Sequence, residues 1–386
     1  MKILVIGRTL PLKSSDITGI FEFEQAKGAS QIGYNVIYGF VDNRSIKVMR
    51  SINKVDKEVR DIKTIGYYLP IGGITKKIYD FIKYKLFKKM FNNAIKHYGK
   101  LDIVHIHFPL ININSKIIRF LKQQDVEIVI TEHWSKVLNK ALSNREEGIL
   151  DLLFKESSKV IAVSSNLEKA LSEYNKKFEY PFKDNIFVIP NLVDSVFSYI
   201  PLEKSENFTY ATVGRLVNMK GNDIVIKALA EVIKKRPNVK LYIIGDGPER
   251  KSLENLIKDY YLDNKVIITG YLSADEIKEF YKEINVYVTG SKIETFGVPV
   301  IESWLIGRPV IIGDNHPMSS EVNKANGLIY EYYKDNTYKN LAEKMLEVQD
   351  MKYEYEKIAL DCYRNFSRQN VLARLDEIYR SLSSGN

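Results

Sequence analysis

Short apolar runs alternate with longer stretches of helical period along most of this chain, which is the pattern of βαβ units around a parallel sheet. In the first half the runs Ile3 to Ile6, Val36 to Phe40, Ile103 to His107, Ile128 to Thr131, Lys159 to Val163 and Ile186 to Ile189 predict the strands of one doubly wound sheet. Tyr199-Ile200-Pro201 and the polar residues Glu203, Lys204, Ser205, Glu206 and Asn207 then break the alternation. It restarts with Tyr210 to Val213, Lys240 to Ile244, Lys265 to Thr269, Val286 to Thr289 and Val310 to Ile312, predicting a second sheet. The expected organisation is an N-terminal domain over 1–198, a second α/β domain over 199–365 and a terminal helix over 366–386. Val371, Leu372, Leu375, Ile378 and Tyr379 give that helix one apolar face, expected to pack back on the first domain.

Size agrees with two cores, because 386 residues exceed the roughly 250 at which a single core stops growing. The net charge of +9 is unevenly placed: residues 1–200 hold 31 basic and 21 acidic side chains, leaving 26 and 27 for the rest. The basic excess is therefore N-terminal and points that domain toward something anionic, such as phospholipid, lipid-linked phosphate or nucleic acid. No apolar run approaches the ~18 residues of a membrane span. The run Ile3 to Ile6 reads as a first buried strand and not as a signal peptide. Cys362 is the single cysteine, so no internal disulfide can form, and a reducing cytoplasm is the expected compartment.

Three loops at strand ends carry candidate chemistry. The stretch from Val286 to Pro299 reads as strand, loop and helix start, with Pro299 suited to the first helical turn and Gly307 to its end. Glu294 falls in the loop and Glu302 one turn into the helix, beside free backbone N–H groups that favour a phosphate. As isolated carboxylates they would be ordinary helix-end charge. The second loop, Gly214 to Gly221, follows a predicted strand end, where Arg215 can fork onto phosphate oxygens and Lys220 can add a point charge. The third, Gly245-Asp246-Gly247-Pro248, is a tight glycine turn that alone is structural.

Taken together, GRLVNMKG, IIGDGPER, ETFGVPVIE and VIPNLVD resemble glycosyltransferase family 4, the group 1 enzymes, in order and spacing over nearly the whole chain. The resemblance implies a GT-B fold, in which two Rossmann-like doubly wound domains face each other across a cleft. It also implies a retaining glycosyltransferase that moves a sugar from a nucleoside-diphosphate sugar to a hydroxyl acceptor. By the same resemblance Arg215 and Lys220 bind the donor diphosphate, and Glu302 holds the ribose. Glu294 contacts the donor sugar with the amides of Phe296, Gly297 and Val298. Gly245 and Gly19 belong to the donor-binding set, and His133 faces the sugar. His105 and His107 also end a predicted strand, where a histidine is commonly structural. The first loop departs from the family, with Thr18-Gly19-Ile20-Phe21-Glu22 in place of paired glycines.

No Asp-x-Asp pair occurs and no Cys/His cluster has zinc spacing, so neither a metal nor another cofactor is expected. Lys76 to Lys89 places Ile78, Phe81, Ile82 and Leu86 at roughly helical spacing among six lysines, resembling an interfacial helix. Peripheral contact with the inner face of the cell membrane follows as an expectation, with a lipid-linked or surface-polysaccharide precursor as acceptor. Two rivals remain: a sugar-nucleotide epimerase of the same fold, and a non-enzymatic binder of an anionic ligand. Nucleic acid is not an expected partner, since no nucleic-acid motif accompanies the charge.

Overall fold

The computed structural model describes residues 1–11, 18–42, 53–69, 74–178, 186–333 and 336–383. The chain forms two compact units, one from Met1 to Leu192 together with the chain from Val371 onward, the other from Val193 to Asn370.

The first unit is built on strands β1 (Lys2–Gly7), β2 (Asn35–Asp42), β3 (Asn53–Val59), β4 (Ile62–Tyr68), β5 (Ile103–His107), β6 (Glu127–Glu132), β7 (Lys159–Ala162) and β8 (Ile186–Val188). Their order is β3-β4-β2-β1-β5-β6-β7-β8, parallel throughout except for β3 against β4. β1 is buried from Ile3 onward because helices cover both faces, so its sequence is a continuous apolar run. The strand order reverses between β1 and β5, which places an open crevice at their carboxyl ends. β3 and β4 were not among the expected strands. They form a hairpin whose outer member is polar, alternating with charge as NKVDKEV, and whose turn uses Arg60 and Asp61 at positive φ. The terminal helix, Arg368–Ser383, lays Val371, Leu372, Leu375, Ile378 and Tyr379 into the core of this unit beside Ile3, Val5 and Phe23.

The second unit holds β9 (Phe208–Val213), β10 (Val239–Ile244), β11 (Val266–Gly270), β12 (Val286–Val288), β13 (Val310–Gly313) and β14 (Gly327–Tyr330), ordered β11-β10-β9-β12-β13-β14 and all parallel. Its order reverses between β9 and β12, so the loops after those two strands flank a second switch point. β14 was not among the expected strands. Its Tyr330 donates from the hydroxyl to the Thr289 carbonyl, tying the edge of the sheet to the loop after β12.

The helix Lys76–Tyr98 forms as the spacing predicts, with one correction to its basic face. Lys83 does not reach solvent: its Nζ donates to the Ile111 carbonyl at 2.5 Å, and burial pushes its pKa down to about 7. Ile78 and Phe81 are exposed on the outer side, with Lys85 and Lys116 over the Phe81 ring.

Candidate active site

In the second unit the site is assembled by close backbone approach. Gly221 sits at φ 60 and a Cβ there would lie 1.9 Å from the Gly290 carbonyl oxygen, so only glycine lets the loop after β9 meet the loop after β12. Lys292 N–H then donates to the Met219 carbonyl at 2.9 Å, and the Lys292 ammonium to Asn218 at 2.8 Å. This contact brings Lys220 to Glu294, with Nζ to Oε2 at 2.5 Å. Burial alone would raise the Glu294 carboxyl, but the charge and hydrogen bond of Lys220 hold it below its ordinary value.

Gly297 is the second position that demands glycine. At φ 92 it turns the chain into the helix Val298–Ile306, with Pro299 in the first turn and Gly307 closing it at φ 94. Phe296 is buried, and in the first turn Pro299 has no N–H while the Val300 amide donates to the Gly297 carbonyl at 3.0 Å, so the Val298 amide is the one that the helix start leaves open. Glu302 lies in the next turn, where burial and the neighbouring Asp194 carboxylate raise its pKa to about 8. At neutral pH it is largely a carboxylic acid, able to donate as well as accept a hydrogen bond. Arg215 is exposed in the loop after β9. Gly245, at φ 146, lies against the Gly214 carbonyl and so aligns the end of β10 with that loop.

The first unit gathers a separate polar cluster at the ends of β1, β5 and β6. His107 Nδ1 and His133 Nε2 are 2.9 Å apart, and His105 bridges Tyr379 at 2.6 Å and Thr131 at 2.7 Å. Burial lowers all three imidazoles well below the usual histidine range, with like-charge neighbours adding to it, so they are neutral at pH 7. His133 also stacks on Phe108, whose other neighbour is the Arg8 guanidinium, 3.4 Å from the ring centroid. Arg8 in turn pairs with Glu22 at 2.6 Å, from just after β1 to the first turn of the helix Ile20–Gln31. Gly19 caps the helix Ile20–Gln31 at φ 90, its Cα side facing the Thr9 carbonyl.

Lys220, Glu294 and Gly297 are thus brought together, Glu302 follows on the same helix, and His133 and Gly19 stand in the other unit. The sequence reading missed Arg8, Glu22, Glu132 and His316. Arg8 directly follows the first strand, a position that could have signalled it. Glu132 accepts from the amides of His133 and Trp134 through Oε1, at 2.9 Å each. Nothing in its spacing distinguished it from a strand-end charge.

Two α/β units built on doubly wound sheets, with phosphate-suited loops at a switch point of the second, give the GT-B fold. The chain belongs to glycosyltransferase family 4: the family model "Glycosyl transferases group 1" matches residues 198–360 and "Glycosyltransferase Family 4" matches 56–197. The gpi3 subunit of phosphatidylinositol N-acetylglucosaminyltransferase from Schizosaccharomyces pombe is 23% identical over 83% of this chain and 69% of its own. Alpha-monoglucosyldiacylglycerol synthase of Streptococcus pneumoniae is 26% identical over 57% of this chain and 51% of its own. The chain spans only 60%, 54% and 51% of the length of several curated relatives that it matches. Among solved structures, sucrose-phosphate synthase from Thermosynechococcus elongatus superposes with a TM-score of 0.73 over all of both chains, at 19% identity.

Proposed function

We propose that this enzyme transfers a sugar from a nucleoside-diphosphate sugar to a hydroxyl acceptor with retention of anomeric configuration. The observation that carries the reading is the Lys220–Glu294 pair beside the start of the helix Val298–Ile306, at the switch point of the second sheet. A cation and the open amide of a helix start suit the diphosphate, and a carboxylate held ionised suits sugar hydroxyls. In this reading Arg215 and Lys220 take the phosphates. Glu302 takes the ribose, while Glu294 and the amides of Phe296, Gly297 and Val298 take the sugar. Gly245 and Gly19 complete the donor set, and His133 serves the reacting sugar. As the bond from the sugar C1 to the phosphate oxygen breaks, negative charge grows on the leaving diphosphate, where Arg215, Lys220 and the helix start stabilise it without a metal. Retention rests on the family resemblance.

Calorimetric titration with UDP-, GDP- and ADP-sugars tests the donor assignment. The wild type binds one of them, and Arg215→Ala weakens that binding about 10-fold or more, as loss of a charge-assisted phosphate contact requires. Undiminished affinity in the variant would remove Arg215 from the phosphate site.

A lipid-linked or surface-polysaccharide precursor is the acceptor class we favour. The names of the two relatives, one acting on phosphatidylinositol and one making a glucosylated diacylglycerol, support a lipid acceptor. The exposed Ile78 and Phe81, ringed by Lys76, Lys77, Lys85 and Lys88, support a peripheral position on an anionic cytoplasmic leaflet, each lysine adding about 1 kcal/mol near the surface. In flotation assays the protein is expected to rise with vesicles containing phosphatidylglycerol at low salt, and to stay behind with Ile78→Glu/Phe81→Glu. Wild-type protein that ignores those vesicles leaves this helix as an ordinary domain element.

A further inference from the structure

The turn after β13 grips the loop after β12 at two points. Asn315 Nδ2 donates to the carbonyls of Ser291 at 3.1 Å and Lys292 at 3.0 Å. The His316 ring, only 3% exposed, presses on Gly297 so closely that a Cβ there would lie 2.4 Å from its Cε1 and 2.8 Å from its Nε2. Gly297 therefore lacks a side chain partly to admit this ring.

The tautomer of the ring follows from its contacts. The Met318 amide donates to Nδ1 at 3.2 Å, so Nδ1 carries a lone pair and the proton of the neutral imidazole is on Nε2. Among the described residues none accepts from that Nε2–H. The atom lies on the side of Gly297, the residue whose φ opens the helix start, and the Glu294–Lys220 pair is close enough to act on the ring electrostatically. A neutral ring in that place donates one hydrogen bond and carries no competing charge.

We propose that His316 is a donor-contacting residue, whose Nε2–H bonds a phosphate oxygen of the nucleoside diphosphate seated at the start of the helix Val298–Ile306. The inference rests on the nucleotide-sugar reading above. It adds a neutral donor to the cations Arg215 and Lys220, at the phosphate that leaves the sugar. Burial keeps the imidazole uncharged, its pKa lowered to about 4, so the contact is insensitive to pH through the neutral range.

Titration of UDP, GDP and ADP and their monophosphates into wild type, His316→Phe and His316→Gln tests it. Phenylalanine keeps a ring against Gly297 and removes both nitrogens, whereas glutamine retains an N–H donor. The expected result is that His316→Phe weakens the preferred diphosphate about 10-fold or more, leaves the monophosphate unchanged, and that His316→Gln recovers part of the loss. Equal loss for both nucleotides means a purely structural ring and overturns the proposal, as does unchanged diphosphate binding in His316→Phe. If the wild type binds no nucleoside diphosphate, the donor reading itself fails and this inference with it. Thermal melts of the free proteins identify any variant that has lost its fold; where His316→Phe has, His316→Met, which also lacks the N–H donor, carries the comparison with the same outcomes.

Discussion

Lys220→Ala is expected to lower kcat/KM by about 10²–10³-fold, the usual consequence of removing one preorganised group that stabilises transition-state charge. The free protein should lose about 1–3 kcal/mol, because the Lys220 side chain is 30% exposed but its removal leaves the more buried Glu294 carboxylate, 15% exposed, without its partner. The pH profile gives a second readout. With the ammonium gone, burial dominates the Glu294 carboxyl and its pKa rises, so the acid limb of kcat/KM moves to higher pH in the variant. Glu294→Gln removes that limb. The double variant should fall less than the product of the two single losses, since each has already broken the pair. A Lys220→Ala enzyme within about threefold of wild type, with an unmoved acid limb, would exclude the pair from the chemistry.

Much of this site was legible because glycines and charges at parallel-strand ends have few structural uses. Gly221 and Gly297 mark two of the places where a Cβ would meet a backbone carbonyl or the His316 ring, and Arg215, Lys220, Glu294 and Glu302 lie within a few residues of them. The fold was legible for the same reason: buried parallel strands such as ILVI and VIIG are apolar runs that helices of a different period separate. The hairpin of β3 and β4 was not, because an edge strand with charge on its open side lacks that signal. Nor was His316, whose role depends on a turn packing against a loop from another strand. Lys83 shows the opposite failure. Its helical position put it with the other lysines, yet the carbonyl of Ile111, contributed by a distant segment, draws it inside.

Arg308 carries the strongest stability prediction, because it is a fully buried cation with no carboxylate partner among the described residues. Its guanidinium serves as a hub for backbone carbonyls. Nε donates to Ile284 at 2.8 Å and Tyr281 at 3.2 Å, Nη2 to Tyr281 at 2.9 Å, and Nη1 to Ile200 at 3.0 Å. Burial lowers its pKa to about 10, still high enough to stay charged. These bonds tie three segments: the one entering the second unit at Ile200, the turn before β12, and the turn between the helix Val298–Ile306 and β13. Methionine fills similar volume but leaves those carbonyls without their donor, each at a cost of about 1–3 kcal/mol before relaxation. Arg308→Met is therefore expected to destabilise the second unit by about 3–5 kcal/mol. Arg308→Lys should recover little, since one ammonium cannot span carbonyls that a planar fork reaches on several sides. Urea unfolding followed by circular dichroism reads the result, with nucleotide binding reporting which unit has melted. A loss below about 1 kcal/mol in Arg308→Met would mean that water or local rearrangement satisfies these carbonyls, and that packing around the aliphatic stem holds this corner together.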